Sequence, residues 1–320
     1  MISRRQFAGA AAGLLTQACN STAGPYPSRE IKLIVQASPG GLSDTVSRVI
    51  ASRMEERIGV PVVCENKPGA AGALAFSYVT RRPADGYTFG HGPVEIAMVR
   101  ALGFADVGPA DMDLLCLVSK TQPVFAVHVD SSWRRFQDFI AAARAREGYY
   151  VIANSGTGSI WHINALLMER ALGLRLIHCP FGGSSGALTS LLGRHVDAAV
   201  AGAGEVISHV LAGSLRVLAV FDERRSVLYP DVPAVSELGY KFGASAWSGF
   251  YAPQGVPPDR SGALTKAIHF AFESEEFQKV CQERGMEPVY LPSDEFRVFA
   301  LEQAAFFRKV IPELLTGGRR

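Results

Sequence analysis

Apolar positions recur along the chain with two periods, one typical of buried strands and one typical of helices. The run "EIKLIVQAS" is β-branched and apolar, which predicts a buried parallel strand. The next segment, "TVSRVIASRMEERIG", has apolar residues at helical spacing and ends at Gly59, which predicts a helix. "VPVVCEN" then predicts a second strand, "KPGAAGALAFSYVTRR" a glycine-rich turn and a helix, and "DGYTFGHG" a third strand. This order indicates a parallel sheet with helices on both faces.

The middle of the chain repeats the same scheme. Strands are predicted for "PVFAVHVD", "YYVIANS" and "LRLIHCPF", and helices for "SWRRFQDFIAAARARE", "GTGSIWHINALLMERALG" and "GGSSGALTSLLG". "VDAAVAG", "LRVLAVF" and "WSGFYAPQGVPP" predict three further strands, and most of the chain after them is predicted to be helical. Two such modules joined by two chain crossings predict an α/β fold with two lobes. Two parallel-rich sheets flanked by helices would enclose a ligand cleft between the lobes.

Three glycine-rich turns stand between a predicted strand and a predicted helix. They are "ASPGGLSD" (residues 37–44), "NSGTGS" (residues 154–159) and "FGGSSG" (residues 181–186). Each glycine lets backbone N–H groups point outward, and the first helical turn adds unpaired N–H donors and about half an elementary positive charge. Three such anion-binding starts predict a clamp for a ligand with a carboxylate at one or both ends. The alternative is that these glycines only allow tight turns and helix packing.

The residues of these turns are the candidate ligand-binding residues, together with one histidine. His162 lies one turn into its helix, where it can donate to a ligand carboxylate, and its charge is tunable near neutral pH. A packed histidine that hydrogen-bonds a neighbouring loop is the alternative. Phe181 is expected either in the cleft or in the core. The full set is Ser38, Gly40, Gly41, Leu42, Ser43, Asp44, Asn154, Ser155, Gly156, Thr157, Gly158, Ser159, His162, Phe181, Gly182, Gly183 and Ser184.

Residues 182–186 also match G-x-S-x-G, the nucleophile elbow of hydrolases, with Ser184 as the serine. A serine hydrolase needs a base and an orienting acid around the serine. Several aspartates precede His269 in the order Ser…Asp…His, but so many acids meet this order easily by chance. His269 also lies in an amphipathic helix rather than on a loop. Because a hydrolase needs one elbow whereas an anion clamp uses several, we predict no enzymatic activity.

Composition and the absence of certain motifs exclude several classes of function. The chain has 320 residues, 48% of them hydrophobic and 19% charged, with a formal net charge of +2, as in a soluble globular protein. No basic stripe with interleaved aromatic residues is present, which argues against nucleic-acid binding. No P-loop, dinucleotide fingerprint, C-x-x-C or H-E-x-x-H occurs, so we predict no cofactor and no metal. Whether Cys64, Cys116, Cys179 and Cys281 form a disulfide is left open.

The N-terminus reads as an export signal. Ser3-Arg4-Arg5-Gln6-Phe7 precedes the apolar run "AGAAAGLL", which is the pattern of a twin-arginine (Tat) signal. We predict a signal peptide over residues 1–23, a cleavage after Ala23 and a soluble periplasmic protein. A chance arginine pair in a cytosolic chain is one alternative. Lipidation of Cys19 is another, although Thr16 stands where a lipobox has leucine.

These segments resemble a known family when taken together and in order. They are "YPSREIKLIVQASPGGLSD", "VVCENKPGAAG", "PADGYTFG", "SGTGSIWHI", "HCPFGG", "GRHVDAAVAG", "AGSLRVLAV", "PDVPAVSELG" and "WSGFYAPQGVP". They resemble the periplasmic receptors of tripartite tricarboxylate transporters, the Bug-type solute-binding proteins. The resemblance runs across nearly the whole chain after the predicted signal peptide.

The resemblance implies a two-lobed periplasmic-binding fold, type II-like, that closes on a small organic carboxylate. Such a receptor passes its ligand to membrane permease subunits without catalysis and is expected to be a monomer. The lobes are predicted over residues 24–125 plus 248–320 and over residues 126–247. The family grips the ligand through the loops matching residues 39–44, 154–159 and 181–184, and its histidine falls on His162. A sensor that binds the same acid and signals to a membrane partner is the alternative.

The chain departs from the family pattern beside one of these loops. Family members commonly read Pro-Tyr-Lys-Gly where this chain has Pro180, Phe181, Gly182 and Gly183. A phenol and a cation are therefore missing. This change favours a monocarboxylate or an aromatic acid over a multiply charged, citrate-like ligand. His91 and Pro93 likewise replace smaller or polar residues after the third strand.

Overall fold

Two mixed β-sheets form the centre of the computed structural model, which describes residues 26–315. The first sheet has the strand order β11-β4-β10-β3-β1-β2 and the second has the order β7-β6-β8-β5-β9. The strands are β1 (Ile31–Val35), β2 (Val62–Asn66), β3 (Thr88–Pro93), β4 (Met112–Thr121), β5 (Pro123–His128), β6 (Val151–Asn154), β7 (Ile177–Pro180), β8 (Ala198–Gly202), β9 (Leu215–Val220), β10 (Ala246–Pro253) and β11 (Glu287–Pro292).

Helices cover both sheets. The helices of the first sheet are α1 (Leu42–Ile58), α2 (Ala73–Thr80), α7 (Pro258–Phe272), α8 (Glu275–Arg284) and α9 (Ser293–Leu315). Those of the second sheet are α3 (Phe136–Ala145), α4 (Ile160–Leu172), α5 (Ser184–Leu192) and α6 (Ala203–Leu211). Each sheet with its helices is called a lobe below. The two sheets and their flanking helices confirm the predicted two-lobed α/β fold.

The first β-α-β unit shows how the sequence pattern becomes structure. β1 is flanked by β2 and β3, and both pairs are parallel, as the apolar runs predict. α1 buries Val46, Ile50 and Met54 on one face, because these residues recur at helical spacing. The helix ends at Gly59, whose φ of 72° is the left-handed conformation that glycine adopts readily. These parallel strands bring the starts of α1 and α2 to one edge of the sheet.

Both sheets also contain antiparallel strands that the sequence pattern did not predict. β4 pairs antiparallel with β10 and β11, and β5 pairs antiparallel with β8 and β9. β4 and β11 themselves were missed. β11 contains Pro288 and Pro292 and pairs on one side only, which is typical of an edge strand that lacks a strong apolar alternation. α6 was missed as well, because its run follows β8 directly.

The chain passes between the lobes at two places. β4 belongs to the first sheet and β5 to the second, with only Gln122 between them. The return lies between Val220 at the end of β9 and Ala246 at the start of β10. The residue limits that the sequence analysis gives for the lobes stay a prediction. The proposed export signal, with Cys19 and Ala23, lies outside the described residues.

The lobes touch where α6 begins and α8 ends. A Cβ added to Gly204 would lie only 1.6 Å from the carbonyl oxygen of Arg284. The two backbones are therefore in direct contact, and only glycine fits at this position. Within residues 26–315, every helix is too short or too polar to cross a bilayer.

Candidate functional site

Asp44 organises the loop between β1 and α1. Its carboxylate accepts hydrogen bonds from the Gly40 N–H at 2.9 Å, Arg48 Nε at 2.9 Å and Asn66 Nδ2 at 2.8 Å. Burial by itself would raise the pKa of Asp44, but the hydrogen bonds from Arg48, Gly40 and Asn66 outweigh it and hold the pKa below its usual range. The predicted site residue Asp44 therefore shapes the loop, and its charge is balanced within the lobe.

The first turn of α1 contains backbone N–H groups without a hydrogen-bond acceptor among residues 26–315. Thr45 is the first residue whose N–H finds a helical acceptor, the Gly41 carbonyl at 2.9 Å. In the part of the chain that the structure describes, the N–H groups of Leu42, Ser43 and Asp44 have no acceptor. Gly41 is the N-cap and has no side chain to satisfy them. The predicted anion-binding start is thus open in the first lobe.

A chain of polar side chains leads from the interior of the first lobe to Ser43. Gln36 Nε2 donates to Ser43 Oγ at 2.8 Å, and Gln36 Oε1 lies 3.0 Å from His91 Nδ1. His91 Nε2 in turn hydrogen-bonds Ser248 Oγ on β10. Burial lowers the pKa of His91 to about 3, so its imidazole is neutral at physiological pH. Gln36 and Ser248 were not predicted, because only the fold brings them beside His91.

The turn between β6 and α4 is mostly satisfied by its own side chains. Asn154 Oδ1 accepts from the Gly156 N–H at 3.0 Å, and Ser159 Oγ caps α4 by accepting from the His162 N–H at 3.2 Å. His162 Nδ1 accepts from the Gly158 N–H at 3.2 Å. Asn154 Nδ2 is buried and has no partner among residues 26–315. These bonds hold the turn rigidly but leave it fewer free N–H donors than the sequence predicts.

A carboxylate from the first lobe meets the start of α4. Glu95, just after β3, accepts the Ile160 N–H at 3.3 Å through Oε1. Burial raises the pKa of Glu95, and hydrogen bonds from its own N–H and from Ile160 oppose that rise. The positive end of α4 therefore already faces an acidic group of the protein. Sequence reasoning missed Glu95, although an acidic residue directly after a buried strand was a signal for it.

The imidazole of His162 is neutral at neutral pH, whereas the sequence predicts a charge that changes near that pH. Its side chain is largely buried, and its ring contacts the ring of His178 edge-on at 5.3 Å between centroids. Burial, reinforced by His178 and opposed by Glu169, lowers the pKa of His162 to about 4. Because Nδ1 accepts from Gly158, Nε2 carries the proton. His162 can thus donate one neutral hydrogen bond, but it brings no positive charge.

The third turn presents the start of α5. Gly183 is its N-cap, with a φ of 153° that side chains rarely adopt, and a Cβ there would meet nothing within 4 Å. Phe181 is half-buried against Gly186, and its N–H donates to the Asn154 carbonyl at 3.0 Å. The second and third turns are therefore neighbours, because β6 and β7 pair in parallel.

Ser184 contacts an acid, and the hydrolase arrangement does not assemble. Glu205 accepts the Gly202 N–H at 2.8 Å; burial raises the pKa of Glu205, while Gly202, Ser184 and Arg284 oppose the rise. Among residues 26–315 no histidine hydrogen-bonds Ser184. His269 lies on α7, where its ring packs edge-on against Tyr290 in the first lobe. Among the described residues, Ser184 thus lacks the histidine base of a Ser-His-Asp triad.

No metal centre or disulfide is found in the described part of the chain. Residues 26–315 contain no group of three or more His, Cys, Asp or Glu placed to hold a metal ion. Cys64, Cys116, Cys179 and Cys281 are all free. A cavity of about 890 Å³ lies elsewhere, between α4, α9 and the connection after β9. None of the seventeen predicted site residues lines that cavity, and it lacks the open helix starts that make the turns suitable for an anion.

Comparisons with known proteins identify related sequences and similar folds. Residues 46–315 match the family model of the tripartite tricarboxylate transporter family receptor, TctC. The chain is 29% identical over 297 residues to Protein BugT of Bordetella pertussis, which covers 91% of each chain. A ligand-free TctC solute-binding protein from Polaromonas is 27% identical with a TM-score of 0.75, covering 90% of this chain and 99% of that one. The R. palustris protein Rpa4515, solved with adipate, is 26% identical with a TM-score of 0.81, covering 90% and 98%.

These matches agree with the two mixed sheets flanked by helices. The family and the fold are those of solute-binding proteins rather than enzymes. The chain belongs to the tripartite tricarboxylate transporter receptor family of periplasmic solute-binding proteins.

Proposed function

We propose that this receptor captures a small organic carboxylate between its two lobes. The observation that carries the proposal is the open start of α1, where the N–H groups of Leu42, Ser43 and Asp44 have no acceptor within the described chain. Unpaired N–H donors at a helix start bind an anion without a charged side chain. The adipate bound to Rpa4515 supports a carboxylate as the ligand class.

The ligand carboxylate binds at α1 rather than at α4. Glu95 already accepts the Ile160 N–H, so a second carboxylate at the start of α4 would meet an acidic group. The second lobe contributes the N–H of Ser184 and the Nε2–H of His162 to the rest of the ligand, while the Ser184 hydroxyl stays with Glu205. Ser38, Gly40 and Gly41 shape the first-lobe loop, while Ser155, Gly156, Thr157, Gly158 and Ser159 shape the opposing one.

The receptor delivers its ligand to the membrane permease subunits of a tripartite transporter. It acts as a monomer, releases the ligand unchanged and uses no cofactor. The twin-arginine segment exports it to the periplasm. Changing Arg4 and Arg5 to lysine is expected to leave the precursor in the cytoplasm, and cell fractionation measures this. Normal export of the lysine variant would contradict the Tat route but not the receptor function.

A thermal-shift screen of the mature protein against organic acids, followed by calorimetry, tests the proposal. A ligand that binds only the folded state raises Tm by mass action, by an amount set by its concentration relative to Kd. We expect at least one small carboxylate to raise Tm and its uncharged methyl ester to have little effect. If no carboxylate in a broad panel binds, or if esters bind as well as acids, the carboxylate-receptor function is wrong.

A further inference from the structure

Ser43 stands at the end of the polar chain that crosses the first lobe. The chain runs from Ser248 on β10 through His91 on β3 and Gln36 after β1 to Ser43 in the first turn of α1. We call these four residues the relay. The imidazole of His91 is 1% exposed and packs edge-on against Phe250, with 5.4 Å between ring centroids. The fold therefore holds the middle of the relay in one position.

The hydrogen bonds of the relay have a direction. Gln36 Nε2 donates to Ser43 Oγ, so its other amide atom, Oε1, is left to accept from His91 Nδ1–H. A neutral imidazole has one donor and one acceptor, so His91 Nε2 must then accept from the Ser248 hydroxyl. Burial keeps His91 neutral, which prevents it from donating at both nitrogens.

This direction decides what Ser43 can offer to a ligand. Its oxygen already accepts from Gln36, so its own hydroxyl proton points to another acceptor. The neighbouring N–H groups of α1 are donors as well, and Asp44 is occupied by Gly40, Arg48 and Asn66. Within residues 26–315, the side-chain oxygens of Ser43 and Asp44 already accept hydrogen bonds, so the start of α1 presents mainly donors.

We propose that the relay from Ser248 through His91 and Gln36 fixes Ser43 as a hydrogen-bond donor, so that the first lobe selects a carboxylate over a carboxamide. The inference rests on the proposed function and adds positioning residues that do not touch the ligand. A carboxamide would aim its NH₂ at a surface of donors, which leaves polar groups unpaired in a closed cleft. Reversing the relay would turn Ser43 into an acceptor and remove this preference.

Ser248→Ala tests the relay at the end farthest from the ligand. Without the Ser248 hydroxyl, His91 Nε2 loses its donor, and the imidazole is free to adopt the other tautomer. Ser119→Ala is a matched control, because Ser119 pairs with Ser248 across β4 and β10. Among residues 26–315, the hydroxyl of Ser119 hydrogen-bonds only the sulfur of Met286, at 3.8 Å. Gln36→Glu is a second variant, in which an acceptor replaces the amide donor beside Ser43.

Two measurements are needed, one without ligand and one with it. The ring nitrogens of His91, read by ¹⁵N NMR in the full mature protein, are expected to show the Nδ1–H tautomer in the wild type and in Ser119→Ala. Calorimetry with adipate is expected to show Kd weakened by about threefold in Ser248→Ala and about tenfold in Ser43→Ala and Gln36→Glu. In Ser43→Ala, the added Ser248→Ala change is expected to have no further effect.

The outcomes separate the relay from the receptor function. An Nε2–H tautomer in the wild type, or equal losses in Ser248→Ala and Ser119→Ala, would overturn the relay while leaving carboxylate binding intact. Additive losses in the double variant would overturn it as well. Failure of every carboxylate to bind the wild type would instead contradict the proposed function, and the NMR tautomer would still decide the direction of the relay.

Discussion

Single residues set the charge near the three predicted binding turns. The family resemblance places Gly182 where members commonly carry lysine, so the third turn is expected to lack that cation. Glu95 and Glu205 add acidic groups near the starts of α4 and α6. Since α1 has N–H donors without an acceptor among residues 26–315, we expect these donors to be the main attraction for an anion.

Restoring the cation at Gly182 is expected to strengthen binding of dicarboxylates. Gly182→Lys meets no steric obstacle, because a Cβ there has nothing within 4 Å and the backbone is not in the left-handed region. We expect calorimetry to show adipate binding about tenfold tighter at low salt, with the gain shrinking at higher salt as screening increases. Gly262→Lys on α7, also unobstructed, is the control. An equal gain in both variants would mean that only net charge matters.

The buried His162 makes the free energy of unfolding depend on pH. Its folded pKa of about 4 lies below its usual value of 6.5, so the unfolded chain binds the proton more readily between these values. His162 therefore contributes stability above pH 6.5, and that contribution falls away as the pH drops toward 4.

His162→Asn isolates this contribution. Asparagine keeps an acceptor for the Gly158 N–H but does not titrate. We expect urea unfolding at several pH values to show a shallower loss of unfolding free energy between pH 6.5 and pH 4 in the variant. His91, Glu95 and Glu205 titrate in both proteins, so the difference reports His162 together with its coupling to His178 and Glu169. Identical slopes would contradict the lowered pKa.

At the scale of elements, helix starts differ in whether a side chain caps their first N–H groups. Those of α4 and α8 are capped by serine side chains, since Ser159 accepts from the His162 N–H and Ser274 from the Phe277 N–H. Those of α1 and α5 begin with glycine and have no side-chain cap. Ser159 and Ser274 thus each satisfy one helix N–H, whereas α1 and α5 lack such a side-chain acceptor.

Removing the two serine caps separates stability from binding. Ser159→Ala and Ser274→Ala are each expected to lower the unfolding free energy by about 1 kcal/mol, because each leaves a helix N–H without its acceptor. Only Ser159→Ala is expected to weaken binding of the carboxylate found by the screen, since Ser274 lies on α8, away from the three turns. Chemical denaturation and calorimetry measure the two effects. A comparable loss of affinity in Ser274→Ala would show that global stability, not the turn, controls binding.

At the scale of the whole molecule, the contact between Gly204 and Gly285 limits how the lobes lie against each other. A Cβ on Gly285 would come within 2.3 Å of the Gly204 Cα, so neither position tolerates a side chain without movement of the backbone. The contact joins α6 of the second lobe to the end of α8 in the first lobe. It lies close to the crossing at Gln122, whose carbonyl accepts the Ala203 N–H at 2.9 Å.

Gly204→Ala is expected to push the lobes apart or to destabilise the protein by about 1–3 kcal/mol. The added methyl group would collide with the backbone carbonyl of Arg284, which cannot move aside as a flexible side chain would. Small-angle scattering and thermal unfolding measure the two responses. Gly262→Ala lies in the open on α7 and is expected to be neutral or slightly stabilising. An unchanged radius of gyration together with an unchanged Tm would contradict a rigid contact at this point.

The amino-acid sequence by itself determined the local units and the family. Apolar periodicity predicted β1, α1, β2, α2 and β3 in order, because each unit depends on residues close together in the chain. The three glycine turns were predicted for the same reason. The ordered motifs identified the receptor family without any knowledge of the fold. In contrast, β4 and β11 were missed, because their pairing depends on partners far along the chain.

Only the tertiary structure decided which donors remain available to a ligand. The three turns look alike in sequence, yet α4 is met by Glu95 from the other lobe, whereas α1 has three N–H groups without an acceptor among residues 26–315. Ser43, Gln36, His91 and Ser248 span more than 200 positions of the chain and meet only because β1, β3 and β10 are neighbours in one sheet. Hydrogen-bond partners over such separations follow from packing, which local sequence patterns do not encode.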